Sequence, residues 1–174
     1  DLQSNPIALF QAFPTGGCAP LTVSFLNESI TESSSRAFDW AFGDGSSTNN
    51  VNASHEYTTP GTYSVSLQLE NLHGCIGTDV IIKTDIITVT PSPRASFDIE
   101  PTTISVLDPQ MQVIDLSEGN ISCTYYFDDQ IFDVCNFDYT LENLIPQTIR
   151  LVVENEFGCS DSEEAQIFLT DHLI

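Results

Sequence analysis

The chain has 174 residues, 25 Asp and Glu against 4 Lys and Arg, and a formal charge of −21. That charge repels a phosphate backbone and gains nothing from releasing its counterions, so nucleic acid is excluded as a partner. Hydrophobic residues make up 41% of the chain, including eleven Phe, five Tyr and one Trp, enough apolar material for a packed interior.

The acidic residues are spread along the sequence and suit a solvated surface. The sharper alternative is that some carboxylates converge on Ca2+, which takes six to eight oxygen ligands, yet no twelve-residue Asp-x-Asp-x-Asp-Gly loop is present. No other cofactor is expected. No apolar run approaches the 18 to 20 residues of a membrane helix, so the chain is not expected to be membrane-inserted. Asp1 at the start and a strand-like run at 167–174 are expected of a piece of a longer chain.

In chain order, short runs rich in Val, Ile, Thr and Phe recur between clusters of Gly, Pro, Asn, Asp and Ser, and no helical period persists. The fold class is therefore all-β. Leu21–Phe25, Thr62–Leu69, Val80–Ile82 and Ile86–Val89 are predicted strands; alternation in the second places Tyr63, Val65, Leu67 and Leu69 on one buried face.

The second half repeats the first in order. Ala8-Leu-Phe10 is matched by Ala95-Ser-Phe97, Pro14 by Pro101, and Phe25-Leu-Asn-Glu-Ser29 by Val113-Ile-Asp-Leu-Ser117. Trp40-Ala-Phe-Gly-Asp-Gly45 is answered by Tyr125-Tyr-Phe-Asp-Asp-Gln130, and His55-Glu-Tyr57 by Phe137-Asp-Tyr139. The nearest match, Leu69-Glu-Asn-Leu-His-Gly-Cys75 with Val153-Glu-Asn-Glu-Phe-Gly-Cys159, comes last. The predicted domains are residues 1–90 and 91–174, joined at Thr90-Pro-Ser-Pro-Arg94, where two prolines preclude a loose tether.

Trp40 and Phe42 fall on one face of a strand, followed by Gly43, Asp44 and Gly45, whose glycines supply the positive φ of a tight turn. This is a hairpin with an aromatic core anchor. Asp39 and Asp44 as a catalytic or metal pair lack a nearby base, nucleophile or further ligands, and His55 is expected to be a hydrogen-bonded core residue. Together, Trp40 to Gly45, His55-Glu-Tyr57, Pro60-Gly-Thr-Tyr-Ser-Val65 and Leu69 to Asn71 resemble the signature of the polycystic kidney disease (PKD) domain, over nearly all of residues 6 to 90. The family-motif residues are Trp40, Phe42, Gly43, Asp44, Gly45, Tyr57, Pro60, Gly61 and Tyr63. The second copy, about residues 93 to 170, is degenerate: Asp128 and Gln130 replace Gly43 and Gly45, and Asn143-Leu-Ile-Pro146 replaces Pro-Gly-Thr-Tyr. The resemblance implies two tandem immunoglobulin-like β-sandwich domains, of the kind found in extracellular adhesins, surface-layer proteins and accessory modules of secreted hydrolases.

Five cysteines without a Cys-x-x-Cys pair indicate disulfides rather than a metal site. A hairpin turning at Asp128–Gln130, with Asp129 midway, sets Cys123 opposite Cys135 for a bridge. Cys18 and Cys75 are the first half's two cysteines, and a bridge between them is expected. Cys159 is left over, as a buried free thiol or one bonding outside this stretch. The cysteine pattern with the degenerate second copy also looks like PKD arrays of Bacteroidetes surface proteins, which often precede a gliding-motility-associated domain sorted by the type IX secretion system. The N-glycosylation triplets at Asn27, Asn52 and Asn120 are of the kind that arises by chance in an Asn- and Ser-rich chain.

No Gly-x-Ser-x-Gly, phosphate-binding loop or His-Glu-x-x-His is present, so catalysis is not expected. The expected role is an extracellular or cell-surface spacer or adhesin module whose partners are neighbouring domains of the same large chain. The alternatives are a module binding surface polysaccharide or protein through Tyr126 and Phe132, expected to alternate away from Tyr125 and Phe127, and a docking domain for an outer-membrane partner through Asp108–Met111 and Glu142–Pro146.

Overall fold

A computed structural model describes residues 5–31, 36–72, 77–142 and 146–170. Among them every element is a strand, as the period-two patterning predicts. The chain divides into two compact units, Asp1–Pro91 and Ser92–Ile174.

The first unit contains β1 (Phe10–Phe13), β2 (Gly16–Cys18), β3 (Leu21–Asn27), β4 (Arg36–Ala41), β5 (Ser47–Thr48), β6 (Ala53–Tyr57), β7 (Gly61–Asn71) and β8 (Gly77–Thr90). These make a three-stranded sheet, β1-β3-β6, and a five-stranded sheet, β2-β8-β7-β4-β5. Alternation sends Phe10, Val23, Phe25, Trp40, Tyr57, Val65, Leu67, Leu69 and Ile87 into one core between the sheets. Trp40 is fully buried, and its ring lies 5.2 Å from that of Phe10 and 5.7 Å from that of Phe25. Its Nε1 donates to Asn50 O at 2.9 Å, satisfying the one polar atom that burial would otherwise penalise.

Val80–Ile82 and Ile86–Val89, predicted as two strands, belong to the single strand β8. The polar Lys83-Thr-Asp85 between them forms a bulge instead of a turn: Val65 pairs with Lys83 and Tyr63 with Ile87, and Asp85 takes a φ of 52°. Ser64 Oγ accepts from Asp85 N at 3.0 Å and fixes the kink.

The second unit contains β9 (Phe97–Glu100), β10 (Ile104–Ser105), β11 (Gln110–Asp115), β12 (Ser122–Phe127), β13 (Gln130–Phe132), β14 (Phe137–Thr140), β15 (Gln147–Glu154), β16 (Ser160–Ile167) and β17 (Leu169–Thr170). One sheet is β9-β11-β14 and the facing one is β13-β12-β15-β16, with β10 and β17 forming a short parallel pair. Its core gathers Met111, Val113, Tyr125, Phe127, Ile149, Leu151 and Val153. Tyr125 is buried where the repeat sets it against Trp40, with ring contacts to Phe97 at 5.6 Å and Phe137 at 5.2 Å.

The β12–β13 turn consists of two residues, Asp128 and Asp129, with φ of 50° and 58°, and Phe127 pairs with Gln130. Both positive angles mark a type I′ turn. Its centre lies between Asp128 and Asp129, half a residue from the position expected from the sequence. This shift corrects the placement of Phe132: it pairs with Tyr125 and faces the core, stacked on Phe137 at 4.4 Å, instead of alternating away with Tyr126.

Candidate functional site

In the first unit, the turn after β4 brings Asp44 and Ser46 against His55 of β6. Gly43 makes this turn possible: its φ is +88°, and a Cβ there would lie 2.5 Å from Ser64 O. Gly45, at φ +97°, faces open space, so only its backbone angle calls for glycine.

The Asp44 carboxylate accepts hydrogen bonds from Ser46 Oγ, from Ser46 N at 3.0 Å and from His55 Nε2 at 2.7 Å. Burial works to raise its pKa, but the Ser46 hydroxyl and amide, followed by the His55 hydrogen bond and charge, outweigh it and hold the group down at about 2. The His55 ring is stacked on Phe42 at 4.4 Å and meets the Tyr57 ring edge-on at 4.6 Å, while Tyr57 Oη donates to Phe42 O at 3.0 Å. Burial pushes the Tyr57 phenol well above its usual range.

Ser, His and Asp thus meet, but not as a nucleophile relay. Such a relay needs the acid on one ring nitrogen and the hydroxyl on the other. Here Ser46 Oγ, at 3.2 Å, and Asp44 Oδ2 share His55 Nε2, and the hydroxyl proton points at Asp44. The arrangement is a clasp joining the β4–β5 turn to β6.

The other motif residues pack around it. Phe42 and Trp40 are buried, Tyr63 packs on Tyr57 at 4.5 Å and donates to Thr59 O at 2.6 Å, Gly61 begins β7 and Pro60 is exposed. Asp39 points to the opposite face from Phe38 and Trp40 and makes no pair with Asp44. Among the described residues of the second unit no histidine faces the turn; Phe137 takes that place, and Asp128 accepts from Tyr139 Oη at 2.9 Å. Burial first, then the Asp128 hydrogen bond and the charges of Asp128 and Glu142, push the Tyr139 phenol up to about 12.

Cys123 and Cys135 form a disulfide with Cα atoms 5.0 Å apart. Strict ladder register would set Val134 across from Cys123; β13 stops at Phe132, and the chain beyond it brings Cys135 in instead. Asp115 Oδ2 lies 3.5 Å from Cys123 Sγ, the one Cys-and-carboxylate cluster among the described residues. The expected Cys18–Cys75 bridge involves Cys75, outside the described residues; Cys18 is disulfide-bonded and ends β2 beside Thr90. Cys159 is buried and disulfide-bonded, which corrects the free-thiol expectation. Of the two loops considered for docking, Asp108–Met111 is described, whereas 143–145 lies outside the described residues.

Sequence reasoning passed over the residues that tie the first strand of each unit to β8 or β16. Asp79 accepts from Ala8 N at 2.7 Å, Asp161 from Ala95 N at 2.9 Å, and Glu163 from Phe97 N at 3.1 Å. An acidic residue near the start of β8 and of β16 is the signal that could have found them. Asn71 and Asn155, quoted in the repeat without a role, are the buried polar side chains among the described residues; Asn155 Oδ1 accepts from Phe157 N and Cys159 N, both at 3.0 Å.

A two-sheet sandwich with an aromatic anchor under a glycine turn defines an immunoglobulin-like module. Residues 3–86 match the PKD domain family. The chain is similar to collagenase ColA of Clostridium perfringens (strain 13 / Type A), 29% identical over 113 residues, which cover 63% of this chain and 10% of the collagenase. It is also similar to the PKD1 domain of Vibrio anguillarum Epp, at 29% identity and a TM-score of 0.42, covering 51% of this chain and 99% of that one. Carbohydrate-binding modules of the β-sandwich superfamily match at 15% identity and a TM-score of 0.45, over 100% of this chain and 88% of theirs. Among the described residues no helix is long and apolar enough to cross a membrane.

Proposed function

We propose that the chain is a non-catalytic extracellular segment of a larger secreted or cell-surface protein, two PKD-type modules in tandem that serve as a spacer between neighbouring domains. The observation that carries this reading is the clasp: the best-assembled set of reactive side chains in the first unit binds Ser46 and His55 to one carboxylate and leaves neither poised for chemistry. The disulfides fit an oxidising compartment, and the collagenase relationship supports an accessory role within a longer chain. Export by a type IX system, in a gliding or adhesion context, belongs to this proposal through the resemblance of the cysteine and repeat pattern to Bacteroidetes arrays.

An aromatic binding platform has less support, because Phe132 is turned into the core and leaves Tyr126 without an aromatic neighbour from β13; its cross-strand partners are Ile131 and Arg150. The test is to incubate the 174-residue chain with gelatin, cellulose, chitin and insoluble collagen. No hydrolysis, and no retention beyond that of an unrelated acidic protein, is expected. Turnover of gelatin, or retention abolished by Tyr126→Ala, would overturn the spacer reading.

A further inference from the structure

The first strand of each unit, β1 or β9, lies along a seam of the sandwich with β8 or β16, and the two seams are closed differently. Register makes Lys83 and Ala165 equivalent: Leu69, Leu67 and Val65 of β7 pair with Asp79, Ile81 and Lys83, as Val153, Leu151 and Ile149 of β15 pair with Asp161, Glu163 and Ala165. Asp79 and Asp161 make the same bond, to Ala8 N and Ala95 N. In the first unit the Lys83 stem crosses the seam, its Nζ donates to Phe10 O at 2.7 Å, and the ammonium sits 4.8 Å from the centroid of the Phe10 ring.

The second unit has no such plug. Ala165 stops short of the seam, and a groove of about 380 Å3 opens there, lined by Phe97, Ile99, Ile104, Ala165, Ile167 and Phe168 among others, with no basic side chain among the described residues of its wall. Phe97 has the ladder position of Phe10. Leu9 O and Ser96 O accept from the neighbouring strand, from Glu28 N and Leu116 N, so the next residue in each case turns its backbone groups to the seam. Phe97 N is already held by Glu163. Beside the groove, β16 ends its four-stranded sheet, bonded to β15 on one side and, among the described residues, to no strand on the other.

We propose that this groove is a docking site for a lysine side chain presented by an extended segment of a partner protein. The segment lies along the free edge of β16 as an added strand. Its ammonium enters where Ala165 leaves space, donating to Phe97 O over the Phe97 ring as Lys83 does with Phe10. Two features select this occupant: the first unit fills the equivalent position with a lysine of its own, and a chain of charge −21, with Asp98 at the groove's rim, favours a cation. This inference is independent of the spacer reading.

The probe is a blocked Thr-Val-Lys-Val-Thr peptide, titrated into the isotope-labelled 174-residue chain and followed by amide chemical shifts. Shifts are expected at Phe97–Ile99 and Ala165–Phe168, with binding at least about tenfold weaker when norleucine replaces the peptide lysine and lost in Ala165→Lys, which plugs the seam from within. Should Ala165→Lys not fold, Ala165→Met fills the same space without charge and carries the same expectation. Absence of binding, shifts elsewhere, equal affinity for the norleucine peptide, or undiminished binding by a folded plugged variant would each overturn the proposal.

Discussion

The carboxylate of Asp161 accepts a hydrogen bond from the Ala95 amide at 2.9 Å, fastening the approach to β9 onto β16 across 66 residues of sequence. Asp161→Ala leaves a part-buried donor unpaired and is expected to lower the stability of this unit by about 1–3 kcal/mol. Asp161→Asn keeps an acceptor and should cost less. Urea unfolding, with hydrogen exchange at Ala95 as the local readout, separates the two; equal losses would show that charge rather than the acceptor matters.

Asp44 predicts how the first unit responds to acid. Its folded pKa, held down at about 2, lies below the ordinary carboxylate value of 3.8, so its stabilising contribution is complete above about pH 4 and is lost as pH falls toward 2. Trp40, the one tryptophan of the chain and buried in this unit, should report acid unfolding by fluorescence. Asp44→Asn is expected to be less stable at neutral pH and to show a shallower pH dependence between 4 and 2; an unchanged slope would remove the clasp as its source.

The two turn glycines should differ in what they tolerate. Gly45→Ala incurs only the backbone penalty of a positive φ, about 1–2 kcal/mol. Gly43→Ala adds a clash with Ser64 O and is expected to cost about 1–3 kcal/mol more. Thermal unfolding of the two variants compares them directly, and a Gly43 variant no worse than the Gly45 one would contradict the close approach of the two chain segments.

The Cys123–Cys135 bridge closes a loop with a sequence separation of 12, worth about 3 kcal/mol in the chain-entropy account. Replacing both cysteines by alanine should reduce the second unit's stability by about that amount. The first unit's unfolding, followed through Trp40, should hold its midpoint.

The sequence makes the sandwich legible because period-two alternation and the ordered repeat both survive without tertiary information, and Trp40 and Phe42, two residues apart and both buried, announce a core anchor. Geometry that depends on half a residue does not survive in the same way. A two-residue turn at Asp128-Asp129 and a three-residue turn about Asp129 look alike in sequence, yet only the former places Phe132 inside. Lys83-Thr-Asp85 carries turn chemistry and forms a bulge because pairing with β7 resumes beyond it. The carboxylate ties of Asp79, Asp161 and Glu163 were hidden because their partners are amides 66 to 71 residues away. The state of Cys159 was equally hidden, since a thiol's partner is set by the fold and not by spacing.

The parallel pairing of β2 with β8, from Gly16 beside Thr88 to Cys18 beside Thr90, has a consequence for how the first unit would bear tension. An early and a late segment of this unit run side by side in the same direction. Pulling the chain from the two ends of the unit therefore draws these strands past each other, and the bonds from Thr88 N to Thr15 O and from Ala19 N to Thr90 O, both 2.9 Å, are loaded in shear together instead of being peeled apart one at a time.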